Sequence, residues 1–293
     1  MNKLYDEITI VTVLYNSAKI DGSFFENLKN FKKIVVDNGK NEEILGKIKT
    51  YKNIKIISKN KNLGYGSAVN FAFESIDSKF FLILNPDINI DENSINNLHN
   101  ILSENGDCGI VAPIIYPDED FYGAFPEKNL KKLTILNALK SRELLSKSEI
   151  EGEICVDVVK WALLVKADQF EKVGGFNEKL FLFWEEIDLC RKFRSNKLSV
   201  IITPKSKAEH KQDKSSDSNF ENFLIKTYYH EYSPLVYYNV QKFSFFYLRR
   251  MMKYLFRGIS YLMILNLKKS LTYFLRLSAS IRYFINLKLS SNK

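Results

Sequence analysis

The chain is most informative first for what it lacks. Three cysteines occur in 293 residues, Cys108, Cys155 and Cys190, far apart and with no Cys-x-x-Cys pair. That excludes a disulfide framework and a cysteine zinc site, and it points to a reducing compartment. No segment reaches the roughly eighteen uncharged apolar residues of a membrane-spanning helix, so none is expected. The opening residues Met1–Glu7 already carry two acids, and Ile8–Leu14 is too short for a leader's apolar stretch, so no signal peptide is expected. Internal repeats and low-complexity linkers are absent. Acids disappear after Glu231: residues 232–293 hold eleven Lys or Arg and no Asp or Glu. The net charge of +9 therefore resides in the tail, because residues 1–231 carry 32 basic and 34 acidic side chains.

What is present is a core-forming chain, 45% hydrophobic, long enough for one large domain or a domain with an appendage. β-Branched or apolar runs at Ile8–Leu14, Ile34–Asp37, Ile54–Ile57, Phe80–Leu84 and Cys108–Ala112 read as strands. Helical spacing at Ser67–Ser75 and Asp91–Glu104 falls between them. This alternation predicts an α/β fold with a mostly parallel central sheet flanked by helices. Tyr116–Phe125 reads as a loop and Lys128–Ser148 as helical. Val156–Val165 returns to the sheet, Glu186–Ser195 is a helix opened by acids, and Leu198–Thr203 is a further strand. From about Asn219 the pattern is helical. The expected division is a catalytic domain over 1–218, with halves 1–115 and 116–218, and a helical basic-aromatic region over 219–293.

Three motifs carry chemistry. Asn62-Leu-Gly-Tyr-Gly-Ser-Ala-Val-Asn70 joins a strand to a helix, where glycines let backbone approach a ligand and the helix start favours an anion; the same pattern serves an ordinary tight turn. Asn85-Pro-Asp87 follows a strand. Pro86 keeps Asn85 out of helical geometry, and Asp87 is presented stiffly as an oxygen ligand for a hard cation or as a turn cap. Glu185, Glu186 and Asp188 emerge beside Phe181, Phe183 and Trp184. A low local dielectric there would raise a carboxyl pKa towards base function, although acids also simply cap helices. His210 follows a strand in Glu209-His-Lys; His99 and His230 lack even that context.

The order of these pieces resembles the inverting family 2 glycosyltransferases over about residues 6–215, and most of all the bacterial rhamnosyl- and galactofuranosyl-transferases of surface-polysaccharide assembly. The resemblance implies a GT-A fold and a nucleotide-sugar donor. It implies nucleobase contacts at Thr12, Tyr15, Asn16, Asp37 and Asn38, and nucleotide contacts at Asn62, Gly64, Asn70 and Asn85. It further implies a divalent cation, Mg²⁺ or Mn²⁺, on Asp87 and His210. Glu186 matches the usual base position beside Glu185, with Trp184 and Asp188 as acceptor or supporting residues. Asn85 stands where the family's metal motif has its first Asp, and Glu186 where its base is commonly Asp. A carboxylate at Asp37 can accept the imide N–H of uracil or thymine, so a UDP or dTDP donor is expected.

The tail holds fourteen of the chain's forty aromatic residues together with its eleven positive charges. Such helices suit an anionic membrane surface, and a helical appendage or a homodimer is the competing reading. Nucleic acid fits less well and is not expected as a partner, because the apolar content exceeds what phosphate contact requires. The expected protein extends a lipid-linked saccharide at the inner face of the cell membrane, as a cytoplasmic, peripherally attached enzyme. The alternatives are a nucleotidyltransferase of nucleotide-sugar synthesis, disfavoured because Tyr15–Lys19 is not a Gly-rich loop, and a degenerate peripheral membrane or nucleic-acid-binding protein.

Overall fold

A computed structural model describes residues 3–15, 23–39, 41–116, 124–125, 152–211 and 219–291. It divides into two compact units, Met1–Asn177 with Glu186–Asp217, and Glu178–Glu185 with Ser218–Lys293.

The first unit is built on one large curled sheet. After a short helix α1 (Lys3–Glu7), strand β1 (Ile8–Leu14) is buried along nearly its whole length. Its two buried threonines need partners, and they find them: Ser78 donates to Thr9 at 2.8 Å, and Thr12 donates to the Leu84 carbonyl. Helix α2 (Ser23–Glu26) leads to β2 (Lys32–Asp37), α3 (Glu42–Ile48) to β3 (Ile54–Ser58), and α4 (Tyr65–Phe73) to β4 (Phe80–Leu84). These four strands lie parallel in the order β3-β2-β1-β4, the result of successive strand–helix–strand crossovers. All five residues of β4 are buried, as a strand covered on both faces requires.

Beyond β4 the sheet becomes mixed. Strand β5 (Ile88–Ile90) precedes α5 (Glu92–Glu104), which is capped by Asp91 accepting from the Ser94 N–H at 2.6 Å; Ile95, Leu98 and Leu102 are its buried stripe. Strand β6 (Cys108–Tyr116) continues four residues past the apolar run ending at Ala112, because Ile114 and Ile115 are also buried. Ala124–Phe125, expected in a loop, forms strand β7 against β9 (Val158–Val159). The expected helix over Lys128–Ser148 and the residues 117–123 lie outside the described residues.

Val156–Val165, expected to return to the sheet, holds two short strands, β9 and β10 (Ala162–Lys166), with β8 (Ile154–Cys155) just before them. Trp161, at φ 70°, breaks the run. β10 inserts antiparallel between β4 and β6. Helix α6 (Ala167–Lys172) follows, and then α7 (Glu185–Ser195), which begins at the inter-unit boundary. The last strand, β11 (Ser199–His210), is far longer than Leu198–Thr203. Irregularities at Ser199/Val200 and Thr203/Lys207 let it carry on, parallel to β6 and antiparallel to β5. His210 is therefore the end of a strand rather than a residue after one.

The second unit consists of α8 (Phe220–Tyr237), α9 (Phe245–Met263) and α10 (Leu267–Ser291), with the segment Glu178–Glu185 packed on α8. Asn219 caps α8 by accepting from the Asn222 N–H at 2.8 Å. Glu231, buried on α8, ties the three helices: it accepts from Arg250 and Tyr254 of α9, both at 2.7 Å, and from Ser280 of α10 at 3.0 Å. Among the described residues no helix is long and apolar enough to cross a membrane.

Candidate active site

The carboxyl end of β4 is where the first unit gathers its chemistry. The chain turns at Asn85-Pro-Asp87, closed by the Ile88 N–H donating to the Asn85 carbonyl at 3.0 Å. Register then does the rest. Ile88 pairs with His210 across β5 and β11, so the residue before Ile88 meets the imidazole. The Nε2 of His210 lies 3.3 Å from Asp87 Oδ2. Ala162 pairs with Leu84 across β10 and β4, so the residue before Ala162, Trp161, meets Asn85: the Asn85 N–H donates to the Trp161 carbonyl at 2.9 Å. The Trp161 ring stacks on His210, centroids 4.6 Å apart and planes 30° apart.

Asp87 is only 4% exposed, and its Oδ1 is buried with no hydrogen-bond partner among the described residues. A buried carboxylate oxygen left without a donor is costly. An unpaired hard oxygen beside an imidazole nitrogen is a donor set that suits Mn²⁺ or Mg²⁺. Among the described residues there is no cluster of three His, Cys, Asp or Glu, and the donors gathered here are the pair Asp87 and His210.

Glu186 sits in the first turn of α7. The residue keeps partial exposure, but enough protein surrounds its carboxyl that desolvation raises its pKa above the usual 4.5. Its own backbone N–H, the Lys160 charge and the Trp161 N–H pull the other way without cancelling the effect of burial. Asp188, two residues on, is buried and turned along its own helix: Arg191 donates to it at 2.6 Å, and Lys192 lies 3.9 Å away. Its negative charge is thus already paired. Glu185 is buried and belongs to the second unit, as do the aromatics before it. There Phe181 stacks on Tyr229, Phe183 meets His230 edge-on, and Trp184 packs on Tyr237 and Tyr238.

The residues expected near the nucleotide cluster at the ends of β1 and β2. Thr12 is buried and bonded to Leu84, as above. Tyr15 follows β1, its ring facing Gly39. Asp37 ends β2 and accepts from the Gly39 N–H at 3.1 Å and from Asn41 at 2.7 Å. Asn16 lies outside the described residues. Asn38 donates to Asn62 at 2.9 Å and accepts from the Leu63 N–H at 2.8 Å, while Asn62 also receives the Gly64 N–H at 2.9 Å. Those two amides brace the loops that bring β2 and α4 together. Gly64, at φ 81°, starts α4 in a conformation that suits glycine. Asn85 accepts from the Tyr65 hydroxyl at 2.8 Å.

Two expectations about the Gly-rich turn take a different form. Asn70 faces the second motif: it accepts from the Phe176 N–H at 2.9 Å and donates to the Phe176 carbonyl at 3.1 Å. Gly66 is small because Phe176 lies against it. A Cβ there would fall 2.9 Å from the Phe176 Cβ, so packing rather than ligand approach explains this glycine. Asn62–Asn70 is therefore clasped to the turn at Gly174–Phe176. Trp161 and Lys160 carry no motif signal in the sequence, yet Trp161 contacts Asn85 and His210 and the Lys160 charge acts on Glu186; Tyr65, inside the Asn62–Asn70 motif, holds Asn85.

This is the architecture of a GT-A glycosyltransferase: nucleotide-side parallel strands, a carboxylate at the end of β4, and an acid-opened helix following a clasped glycine turn. Two solved structures share the fold. A mannosyltransferase from Pyrobaculum calidifontis in complex with GDP-Man and Mn²⁺ superposes with a TM-score of 0.56 at 12% identity, covering 78% of this chain and 64% of that one. GalNAc-T7 with UDP, GalNAc and Mn²⁺ gives 0.54 at 13% identity, covering 77% of this chain and 50% of that one. Residues 9–197 match the model of glycosyl transferase family 2, and the chain belongs to that family. Among curated relatives it is 24% identical over 208 residues to the low-salt glycan biosynthesis hexosyltransferase Agl10 of Haloferax volcanii, covering 67% of this chain and 64% of that protein. It is likewise 24% identical over 245 residues to the N-acetylglucosaminyl-diphospho-decaprenol L-rhamnosyltransferase of Mycobacterium tuberculosis, covering 70% of this chain and 76% of that protein. What the chain shares with these enzymes is the family 2 domain, and it spans under two thirds of the length of the Haloferax protein.

Proposed function

We propose that this chain is a glycosyltransferase that works with inversion and a divalent cation, moving a hexose from a dTDP- or UDP-sugar to a lipid-linked saccharide in bacterial cell-surface polysaccharide synthesis. Rhamnose is favoured, with galactose or galactofuranose next. The observation that carries the cation reading is the buried, unpartnered Oδ1 of Asp87 beside His210. Those two residues would hold Mg²⁺ or Mn²⁺ on the donor diphosphate, and a bound cation there supplies charge stabilisation for the leaving group. Glu186 takes the proton of the acceptor hydroxyl as that oxygen attacks the anomeric carbon. The C1–O bond to the diphosphate breaks on the opposite face, which inverts the configuration. Asp37 accepts the imide N–H that uracil and thymine carry and cytosine lacks. Thr12, Tyr15, Asn16, Asn38, Asn62 and Gly64 shape the nucleotide edge around it, and Asn85 and Asn70 hold the flanking turns. Glu185, Trp184 and Asp188 support the Glu186 segment. A lipid-linked acceptor is supported by the mycobacterial relative, whose name specifies one.

The test is donor hydrolysis and transfer with a panel of UDP-, dTDP- and GDP-sugars, with and without EDTA. Hydrolysis of a UDP- or dTDP-sugar, abolished by EDTA and reduced at least about 10²-fold in Asp87→Ala, is expected. Activity indifferent to both treatments would remove the cation from the mechanism. Preference for GDP-sugars would remove the role of Asp37.

The catalytic domain on this reading is residues 1–218, and residues 219–293 hold the enzyme on an anionic bilayer surface. Phe245, Phe246, Phe256, Met263, Ile264 and Leu265 are all exposed, Met263 and Leu265 at 80% and 82%. They accompany exposed Arg249, Lys253 and Arg257 on an acid-free stretch. An exposed apolar stripe along α9, on a stretch of chain whose charges are all positive, matches lipid headgroups of the opposite sign. The full-length protein should sediment with phosphatidylglycerol-containing vesicles, less so at high salt. Ile264→Asp with Leu265→Asp should weaken it strongly. A soluble dimer that ignores vesicles and is broken by the same pair would assign this stripe to self-association instead.

A further inference from the structure

Trp161 adopts φ 70°, an outlier for a bulky side chain and a conformation that persists only where surroundings enforce it. Three contacts enforce it. Its carbonyl takes the Asn85 N–H at 2.9 Å, holding the turn that carries Asp87. Its own N–H reaches the Glu186 carboxyl. Its ring lies flat on His210 at 4.6 Å, with the Lys160 ammonium 4.0 Å from the ring centroid. An ordinary extended conformation at this position would turn the carbonyl or the ring away from these partners.

We propose that Trp161 is a positioning residue: its left-handed backbone holds the turn that carries Asp87, and its ring fixes the His210 imidazole beside Asp87. The inference rests on the cation reading above. An imidazole ligand is usually oriented by a neighbouring hydrogen-bond partner. Here an aromatic face constrains the ring plane and leaves Nε2 directed at Asp87. The chain has two tryptophans, and the other, Trp184, packs on Tyr237 and Tyr238.

Glycine at 161 keeps the backbone conformation without strain and removes only the ring, so Trp161→Gly separates the two contributions. Trp161→Leu keeps apolar bulk without a stacking face, and Trp161→Phe restores the face. The measurement is Mn²⁺ binding by electron paramagnetic resonance in the presence of UDP, dTDP or GDP, with thermal unfolding alongside. Trp161→Gly should remain folded, melting below wild type because the ring packs against the core, yet bind Mn²⁺ about tenfold or more weakly. Trp161→Leu should be similarly weakened, and Trp161→Phe should stay within about threefold of wild type on the same scale. Wild-type Mn²⁺ affinity in Trp161→Gly, or in Trp161→Leu where the glycine variant does not fold, would overturn the inference while leaving the cation reading intact. Failure of all three variants to fold would overturn it by making Trp161 a packing residue. Wild-type protein that takes up no Mn²⁺ with any of the nucleotides would sink the cation reading itself.

Discussion

Glu186→Gln should give a folded enzyme that still binds its donor and transfers sugar at least about 10²-fold more slowly. Gln is isosteric and accepts from the same Trp161 N–H, but it has no lone pair basic enough to take the acceptor's proton. The wild-type pH profile should show an acid limb above the ordinary Glu range near 4.5, since burial raises this group. The stability change should run opposite to the activity change. A carboxyl whose folded pKa is raised opposes folding when ionised; that opposition is complete above the folded pKa and fades as pH falls towards the unfolded value. Glu186→Gln should therefore melt above wild type at pH 8 and converge with it near pH 4.5. Undiminished transfer by Glu186→Gln, with Glu185→Gln dead, would move the base to Glu185.

Glu231→Ala should cost about 3 kcal/mol of stability, towards the lower end for a broken buried ion pair. Glu231 accepts three hydrogen bonds from two other helices, and removing it leaves Arg250 without its anion. The discount reflects Arg250, whose side chain keeps 38% exposure and recovers part of its hydration. Urea unfolding followed by circular dichroism measures the loss, and Glu231→Gln, which keeps an acceptor oxygen, should fall between. Unfolding of Glu231→Ala at the wild-type urea concentration would show that the three helices are held by their apolar contacts alone.

Much of the nucleotide-side half was legible because each element there announces itself locally. Ile8–Leu14 and Phe80–Leu84 are uninterrupted apolar runs of strand length, and Asp91 is a cap followed by a stripe at Ile95, Leu98 and Leu102. The candidate site was legible as a set of residue types, since Asp87, Glu186 and His210 all stand in recognisable surroundings. How they meet was not. The Asp87–His210 pair depends on the register of Ile88 against His210, and β11 reaches that register only through irregularities beyond Thr203. Trp161 escaped notice because its significance lies in a backbone angle; in the sequence it is one more aromatic at the start of Ala162–Val165. The braces Asn38–Asn62 and Asn70–Phe176 were equally invisible, for an amide that holds a loop and one that holds a ligand look alike in a sequence.

The position of β10 bears on how the chain is made. β1 to β4 can pair among themselves as soon as they leave the ribosome. β6 is complete at Tyr116 and buried at eight of its nine positions, yet among the described residues it pairs only with β10 and β11, which begin at Ala162 and Ser199. A nascent chain thus carries an almost wholly apolar strand with both edges open for the 46 residues from Tyr116 to Ala162, and with the β11 edge open until Ser199, 83 residues after Tyr116. Such edges invite pairing with other chains. The edge that carries the candidate site, drawn from β4, β10 and β11, closes last. The yield of active enzyme should therefore follow translation rate, temperature and chaperone supply more closely than it follows the stability of the finished fold.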